Sequence, residues 1–417
     1  MQTKGEVAAE NREVANGLVP KLRFPGFEGA WQAKNLGEIC DMQAGKFVPA
    51  AAIQEVWREY LYPCFGGNGL RGYTATYTND GTLPLIGRQG ALCGNVTFAT
   101  GKFHATEHAV VANPKPGIRV EWLYYVLDLL KLNRFATGQA QPGLSVEVLN
   151  QVDCSKPLGE EEQRQIADCL SCLDACIHEE IRKLDALKTH KQGLMQQLFP
   201  AEGQCLPRLR FPGFEGEWDI RNVGDVMSVG SSKRVHESDW VASGVPFYRA
   251  RELVALAQGL PISPLFIDEG LYERNIALTG ELKSGHLLVT GVGSIGVPYM
   301  VKEGDRFYFK DGSIIWLKND EETLLGSFLR HSYLTPRVQS QIATMAGIGT
   351  VGTYTIESAR KTEICFPSNK REQRKISDFL SLLDELIVMK VQKVAALKRH
   401  KNGLMHGLFP TMNVDAA

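Results

Sequence analysis

The chain has 417 residues, with 46 basic against 47 acidic side chains and a formal net charge of −1, which is long enough for two or three domains with cores of their own. A balance so near neutral excludes nucleic-acid binding through bulk positive charge; any such contact must rest on where charges are placed or on a partner that adds more. No apolar run has the length of a membrane span, the N-terminus has no apolar signal core and nine irregularly spaced cysteines read as reduced thiols, so a cytoplasmic protein with no membrane partner is expected.

Residues 1–19 are polar without periodicity and read as an arm. PKLRFPGFEGAWQAKNLGEI follows at 20–39 and returns at 207–226 as PRLRFPGFEGEWDIRNVGDV. Leu22, Arg23, Phe24, Pro25, Gly26, Phe27, Glu28, Gly29 and Trp31 recur as Leu209, Arg210, Phe211, Pro212, Gly213, Phe214, Glu215, Gly216 and Trp218, an offset of 187. Next, LPLIG (83–87), NVTFAT (95–100) and HAVVAN (108–113) are predicted strands, and EWLYYVLDLLKLNRFA (121–136) is a predicted amphipathic helix ended by Gly138.

A second repeat is longer. EEEQRQIADCLSCLDACIHEEIRKLDALKTHKQGLMQQLFP at 160–200 recurs at 370–410 as KREQRKISDFLSLLDELIVMKVQKVAALKRHKNGLMHGLFP, an offset of 210. Ile166, Leu170, Leu173, Ile177, Ile181, Leu184, Leu187, Leu194 and Leu198 fall at steps of three and four, which predicts one helix per copy. Pro157 precedes the first, Pro200 and Pro410 end the two, and Asn369 with Glu372 has capping-box spacing. Each helix would span about 55 to 60 Å. A stripe that long is best buried against its twin, as an antiparallel coiled coil.

Cys169, Cys172 and Cys176 include a C-x-x-C, but the second copy has Phe379, Leu382 and Leu386 there, so core positions filled by a small hydrophobe are expected rather than a metal or redox site. In the second half, HLLVTG (286–291), PYMVK (298–302), RFYFK (306–310) and SIIWLK (313–318) are predicted strands and 321–346 a predicted helix. The fold class expected is therefore α/β, mixed α+β: two similar heads joined by two long helices with pseudo-two-fold symmetry. Because the offsets are 187 and 210, the second half carries 23 more residues between its leading segment and its helix. Matched mounts with divergent heads imply like partners for the mounts and unlike objects for the heads.

Gly67, Gly69 and Gly72, and again Gly291, Gly293 and Gly296, match G-x-G-x-x-G, yet β-prone residues rather than a helix follow each. Tight turns with a close backbone approach, to a strand or to a ligand such as DNA, fit better than a dinucleotide or S-adenosylmethionine site. The first head carries Asn68, Arg71, Tyr73, Arg88, Gln89, Lys102, His104, His108, Gln139 and Gln141 on or near glycine-rich loops. The second carries Lys233, Arg234, Tyr248, Arg249, Arg251, Ser294, Lys310, Thr353 and Tyr354. Arg suits guanine, Asn and Gln suit adenine, and Lys, Ser and Thr suit phosphates; each taken singly also fits a solvated surface. No Walker A loop, H-E-x-x-H, G-x-S-x-G or Asn-Pro-Pro-aromatic motif is present, and His190 and His400, each beside a lysine, fit a surface role. No catalytic residue, cofactor site or metal site is assigned.

LRFPGFEG-x-W, the helix start E-Q-R-x-I and the exit KxHKxGLMxxLFP, each present twice, resemble the specificity (S) subunit of type I restriction-modification systems, over nearly the whole chain. GQAQPGLS at 138–145 is similar to that family's pattern late in a target recognition domain, whereas GIGTVGTYTIES in the second half lacks the Gln-Pro pair. The resemblance implies an N-terminal arm at 1–19, target recognition domains at 20–157 and 201–367, spacer helices at 158–200 and 368–410, and a C-terminal tail at 411–417. It implies a non-catalytic subunit that binds double-stranded DNA at a bipartite asymmetric target, with two methyltransferase subunits bringing S-adenosylmethionine and two restriction subunits using ATP and Mg. A protein-only coiled-coil scaffold and a self-sufficient DNA-modifying enzyme are the alternatives.

Overall fold

A computed structural model describes residues 18–90, 92–138, 142–347 and 352–411. The chain divides into two units, Met1–Glu180 with Lys393–Ala417, and Ile181–Gln392. Each unit thus takes one head and part of both long helices. Among the described residues, no helix is long and apolar enough to cross a membrane.

The first unit contains β1 (Gln32–Asn35), α1 (Leu36–Ile39), β2 (Cys40–Ala44), β3 (Tyr62–Gly66), β4 (Gly69–Thr74), β5 (Asn79–Asp80), β6 (Leu83–Gly87), β7 (Val96–Ala99), β8 (Lys102–Ala105) and β9 (Ala109–Pro114). Then come α2 (Val120–Leu129), α3 (Val146–Asn150), β10 (Asp153–Lys156) and the start of α4 (Glu160–Leu198). One sheet runs β2-β9-β6-β7, and a second runs β4-β3-β8-β5 with β3 and β8 parallel. A two-stranded ladder, β1 against β10, closes the base of the head.

The second unit contains β11 (Asp219–Asn222), α5 (Val223–Val226), β12 (Ser228–Gly230), β13 (Trp240–Val241), β14 (Val245–Tyr248), α6 (Ala250–Ala257), β15 (Leu265–Ile267) and α7 (Glu269–Thr279). It continues with β16 (Leu287–Thr290), β17 (Pro298–Met300), β18 (Tyr308–Phe309), β19 (Ile314–Lys318), α8 (Gly326–Tyr333), α9 (Pro336–Ala346), α10 (Ile356–Lys361), β20 (Glu363–Phe366) and the start of α11 (Lys370–Leu408). Its sheets run β12-β19-β16-β17 and β13-β15-β14-β18, with β14 and β18 parallel, and β11 pairs with β20 at the base. Most strands repeat the first head, with β14 for β3, β15 for β4 and β18 for β8, but the edge strand differs: β5 pairs with β8 in the first head, whereas β13 pairs with β15 in the second. The added length goes into α6 and α7 on either side of β15: the tight turn from Gly66 to Gly69 in the first head is replaced by residues 249–264 in the second.

The repeated motifs are internal joints. Arg23 donates Nε and Nη2 to the two oxygens of Glu162 at 2.9 and 3.0 Å, and Arg210 does the same to Glu372 at 2.7 and 2.9 Å. Both carboxylates are buried, 3% and 1% exposed. The next residue grips the head. Gln163 Oε1 accepts the Arg119 N–H at the start of α2 while its Nε2 donates to the Gly117 carbonyl, and Gln373 treats Leu325 and Thr323 at the start of α8 in the same way. The leading segment also bonds the far end of the other helix, Leu22 N–H to Gly407 O and Leu209 N–H to Gln197 O, both 2.9 Å. Trp31 stands edge-on to Phe409 and Trp218 edge-on to Phe199.

Inside the first unit, Asp174 pairs with Lys401 and Glu180 with Lys393, so numbers rise along α4 as they fall along α11 and the segments are antiparallel. Inside the second, Lys191 pairs with Asp384, the same pair displaced by the repeat, while Leu187, Leu194 and Leu198 share a core with Ile376, Leu380 and Leu383. The heads meet this frame through unlike groups. Tyr125 donates its hydroxyl to Asp174 at 2.9 Å and lies 3.2 Å from Ser171 Oγ. Arg330 donates to Asp384 at 2.9 Å, and His331 Nε2 lies 3.2 Å from Ser381 Oγ.

Several sequence expectations shift. The helix expected at 121–136 stops at Leu129, because Lys131 adopts a left-handed backbone at φ 48° and a single 3-10 turn follows. The helix expected at 321–346 is two, since Thr335 caps and Pro336 opens α9. RFYFK forms a strand only at Tyr308–Phe309. Asn369 does cap α11, accepting the Arg371 N–H at 2.9 Å, but Glu372 is committed to Arg210 rather than closing a reciprocal box. The cysteine reading is corrected as well: Cys172 and Cys176 are exposed and Cys169 half-buried, and Phe379, Leu382 and Leu386 are exposed too. The buried stripe of α4 follows Ile166, Leu170, Ile177 and Leu184, which places 169, 172 and 176 on the opposite side.

Glu162→Ala leaves the half-buried Arg23 without its counter-charge and should destabilise the first unit by about 3–5 kcal/mol in urea unfolding, with Arg23→Ala/Glu162→Ala costing less than the sum of the single changes. Burial, reinforced by nearby Arg330 and Lys191, holds His331 neutral down to about 3, and burial with Lys283 and Lys318 holds His286 neutral down to about 4, both from an ordinary 6.5. The unfolded chain protonates both histidines below that value and the folded one does not. Stability of the second unit should therefore be complete above pH 6.5 and fall by roughly 1.4 kcal/mol per pH unit for each histidine below it. Urea unfolding followed down to about pH 4.5 measures that slope, and His331→Phe should lower it by about half.

Candidate nucleic-acid interface

The hairpin of β3 and β4 in the first head turns on glycine because nothing larger fits. A Cβ on Gly87 would lie 2.2 Å from the Gly67 carbonyl oxygen, one on Gly67 would lie 3.0 Å from that of His108, and Gly69 has φ 86°. Neither G-x-G-x-x-G stretch opens a helix: β4 contains Gly72, and β17 follows Gly296. Gly67, Gly72 and Gly291 closely approach the backbone carbonyls of His108, Gln54 and Tyr354, and Gly296 approaches the side chains of Gln339 and Ile342 on α9.

Around this turn Asn68, Arg71, Gln89 and His108 line one open groove of about 490 Å³, with Leu70 and Leu92. Gln89 Oε1 meets His108 Nδ1 at 2.8 Å, which orients the amide and leaves its NH2 group for another partner. Arg88 is half-buried, with Nε donating to the Leu144 carbonyl at 3.2 Å. Tyr73 exchanges two 2.8 Å backbone hydrogen bonds with Gln54, and exposed Lys102 lies over the Tyr77 ring. His104 is buried and both ring nitrogens are engaged, by Thr76 Oγ1 and the Lys46 carbonyl, so it has no free group to present. Gln139 and Gln141 lie outside the described residues; the segments flanking them are tied beside Gln89, where Gly90 N–H donates to Pro142 O. Exposed Phe47, Trp57 and Tyr60 were not among the sequence candidates. Aromatic residues read as core until exposure is known, and only the Gln54–Tyr73 bridge shows that their loop borders this hairpin.

In the second head the basic residues gather where β14 and β18 end side by side. Lys310 N–H donates to the Tyr248 carbonyl at 2.8 Å, Lys233 N–H to the Tyr308 hydroxyl at 2.7 Å, and Arg234 Nε to Asp311 at 3.0 Å. Arg249 and Arg251 open α6 and share the buried carboxylate of Glu252. Burial alone would raise that carboxyl, but the arginine hydrogen bonds prevail and hold it down at about 2. Ser294 is exposed and Thr353 half-buried. Tyr248 and Tyr354 are buried, Tyr354 with its hydroxyl 2.6 Å from Thr362 Oγ1, so both belong to the core rather than to the surface. The β3–β4 turn that carries Asn68 in the first head thus corresponds to the connection that carries Arg249 and Arg251 in the second, while Gln89 lies on the β6–β7 connection.

Residues 28–189 match the family model for the type I restriction modification DNA specificity domain. The type I restriction enzyme EcoprrI specificity subunit of Escherichia coli is 47% identical over 154 residues, spanning 37% of this chain and 38% of that subunit. The type I restriction enzyme MjaVIII specificity subunit of Methanocaldococcus jannaschii is 22% identical over 400 residues, 90% of this chain and 91% of that one. The crystal structure of a type I restriction-modification S subunit from M. genitalium shares the fold at a TM-score of 0.64 and 16% identity, covering 95% of this chain and all of that one. The likeness to type I specificity subunits read from the repeated motifs is borne out by the family model and the relatives, and the solved structure shows a shared fold.

Gly87→Ala forces a methyl group onto the Gly67 carbonyl and should cost about 1–3 kcal/mol, detectable as a lower melting temperature and as new proteolytic cleavage in the 66–71 turn.

Proposed function

We propose that this chain is the non-catalytic, sequence-specific DNA-binding subunit of a type I restriction-modification enzyme. Its two heads, 20–157 and 201–367, each read one half of a bipartite asymmetric duplex target. The observation that carries the proposal is one frame with two chemistries: equivalent joints hold heads of like topology, and the groove beside the β3–β4 turn presents Asn68 and Gln89 in one head while the corresponding β14–β15 connection presents Arg251 in the other. Paired amides suit adenine and guanidinium forks suit guanine, so the two heads suit different half-sites.

The chain supplies recognition, and the chemistry belongs to partners. Two methyltransferase subunits bring S-adenosylmethionine and dock on the helices and heads; two restriction subunits bring ATP and Mg dependence. The exposed apolar side chains Phe379, Leu382, Leu386 and Met389 on α11 suit such docking, since a helix face of that kind gains most by being covered. Partner subunits also supply phosphate contacts, which lets a chain of net charge −1 hold DNA.

An insertion of about four residues in α4, roughly one helical turn, should change the preferred gap between half-sites and leave both half-sites as they were. Binding of the reconstituted complex to duplexes of graded gap measures this, and altered half-sites at an unaltered gap would sink the proposal. The purified chain alone, given labelled S-adenosylmethionine and DNA, should transfer no methyl group.

A further inference from the structure

Two arginines of the second head are held in the same unusual way. Arg251 donates Nε to Glu252 Oε1 at 2.5 Å, and its side chain is 73% exposed. Arg234 donates Nε to Asp311 Oδ2 at 3.0 Å, and its side chain is 71% exposed. In each case the carboxylate is the less exposed partner, 4% for Glu252 and 17% for Asp311, and takes the inner nitrogen, which orients the outward edge formed by Nη1 and Nη2. Other arginines of this head are committed differently: Arg306 engages both Nη atoms on Glu269, and Arg249 engages Nε and Nη2 on Glu252. Both buttressed arginines flank the paired ends of β14 and β18, since Arg251 lies three residues past Tyr248 and Asp311 two past Phe309.

A guanidinium whose Nη edge points outward presents two parallel donors at the spacing of guanine O6 and N7, and fixing it beforehand removes much of the rotamer entropy that binding would otherwise cost. A phosphate needs no such aiming and is served as well by lysine. We infer that Arg234 and Arg251 are guanine-reading residues of the second head, with Asp311 and Glu252 as the positioning residues that aim them, so that the half-site read by this head contains two G·C pairs contacted in the major groove. This rests on the DNA-binding reading above and adds to it which side chains specify, which base they take and what holds them. In the first head no such buttress is seen among the described residues, where Arg88 Nε donates to a backbone carbonyl and the groove presents Asn68 and Gln89.

Genome-wide adenine methylation is mapped in cells carrying the complete set of subunits with the wild-type chain, Arg234→Gln, Arg251→Gln, Arg251→Lys or, as a first-head control, Asn68→Ala. Arg234→Gln and Arg251→Gln should each relax one G·C position, both in the same half-site, with discrimination there falling roughly 5- to 150-fold and the gap and other half-site unchanged. Arg251→Lys keeps the charge but has no Nε to anchor, and should relax the same position as Arg251→Gln. Asn68→Ala should affect only the other half-site. An unchanged motif in the arginine variants overturns the inference, as does a uniform loss of methylation at every site, the mark of a phosphate contact, or a wild-type motif in which neither half has two G·C pairs. A wild-type chain that directs no bipartite methylation removes the functional reading itself, and the inference with it.

Discussion

A buried carboxylate gripping a guanidinium through two hydrogen bonds, Glu162 with Arg23 and Glu372 with Arg210, is the constraint on which both units depend. Such a pair adds little net stability, because desolvation offsets most of the Coulombic gain; what it secures is geometry, since only one placement satisfies both groups. It locks the leading segment onto the first turn of its long helix. The neighbouring glutamine, satisfied on both sides of its amide, fixes the start of the head helix against the same turn. Two adjacent residues of one motif therefore set where chain and head begin.

Beyond that joint the units share a frame and differ in what hangs from it. Ser171 and Asp174 receive a tyrosine, whereas Ser381 and Asp384 receive an arginine and a histidine. Apart from the edge strands β5 and β13, the sheets match because their order is dictated by hydrogen-bonded pairing and by a core that tolerates little change in volume. Connections between strands carry no such obligation, and there a two-residue turn in one head, 67–68, becomes a sixteen-residue segment with a helix in the other, from 249 to 264. The freedom lies where a surface for recognition would be placed.

The same division explains how a chain of net charge −1 suits a charged ligand. Much of its positive charge is used internally, with Arg23, Arg210, Lys191 and Lys401 all paired with acidic groups in the joints and between the helices. Lys233, Arg234, Arg251 and Lys310 instead lie exposed near neighbouring strand ends. Net charge averages these two populations and hides the second. Acidic residues are likewise not simply opposed to binding, since Glu252 and Asp311 aim the arginines beside them.

The sequence by itself determined the two repeats, the long helices from their 3.6-residue stripe, the main strands of each head, and the likeness to specificity subunits, because periodicity and repetition are properties of residue order. It also located the glycine turn and most of the polar groups around it. Only the tertiary structure decided which candidates were available: His104, Tyr248 and Tyr354 are buried, the cysteine stripe and its Phe379, Leu382 and Leu386 counterparts face outward, and Phe47, Trp57 and Tyr60 lie in the open beside the first-head hairpin. It alone showed that the repeated motif is a joint and that Arg234 is held by Asp311, 77 positions away. Burial and partnership depend on contacts between residues far apart in the chain, 162 positions for Arg210 with Glu372 and 227 for Lys401 with Asp174, and no local pattern encodes those.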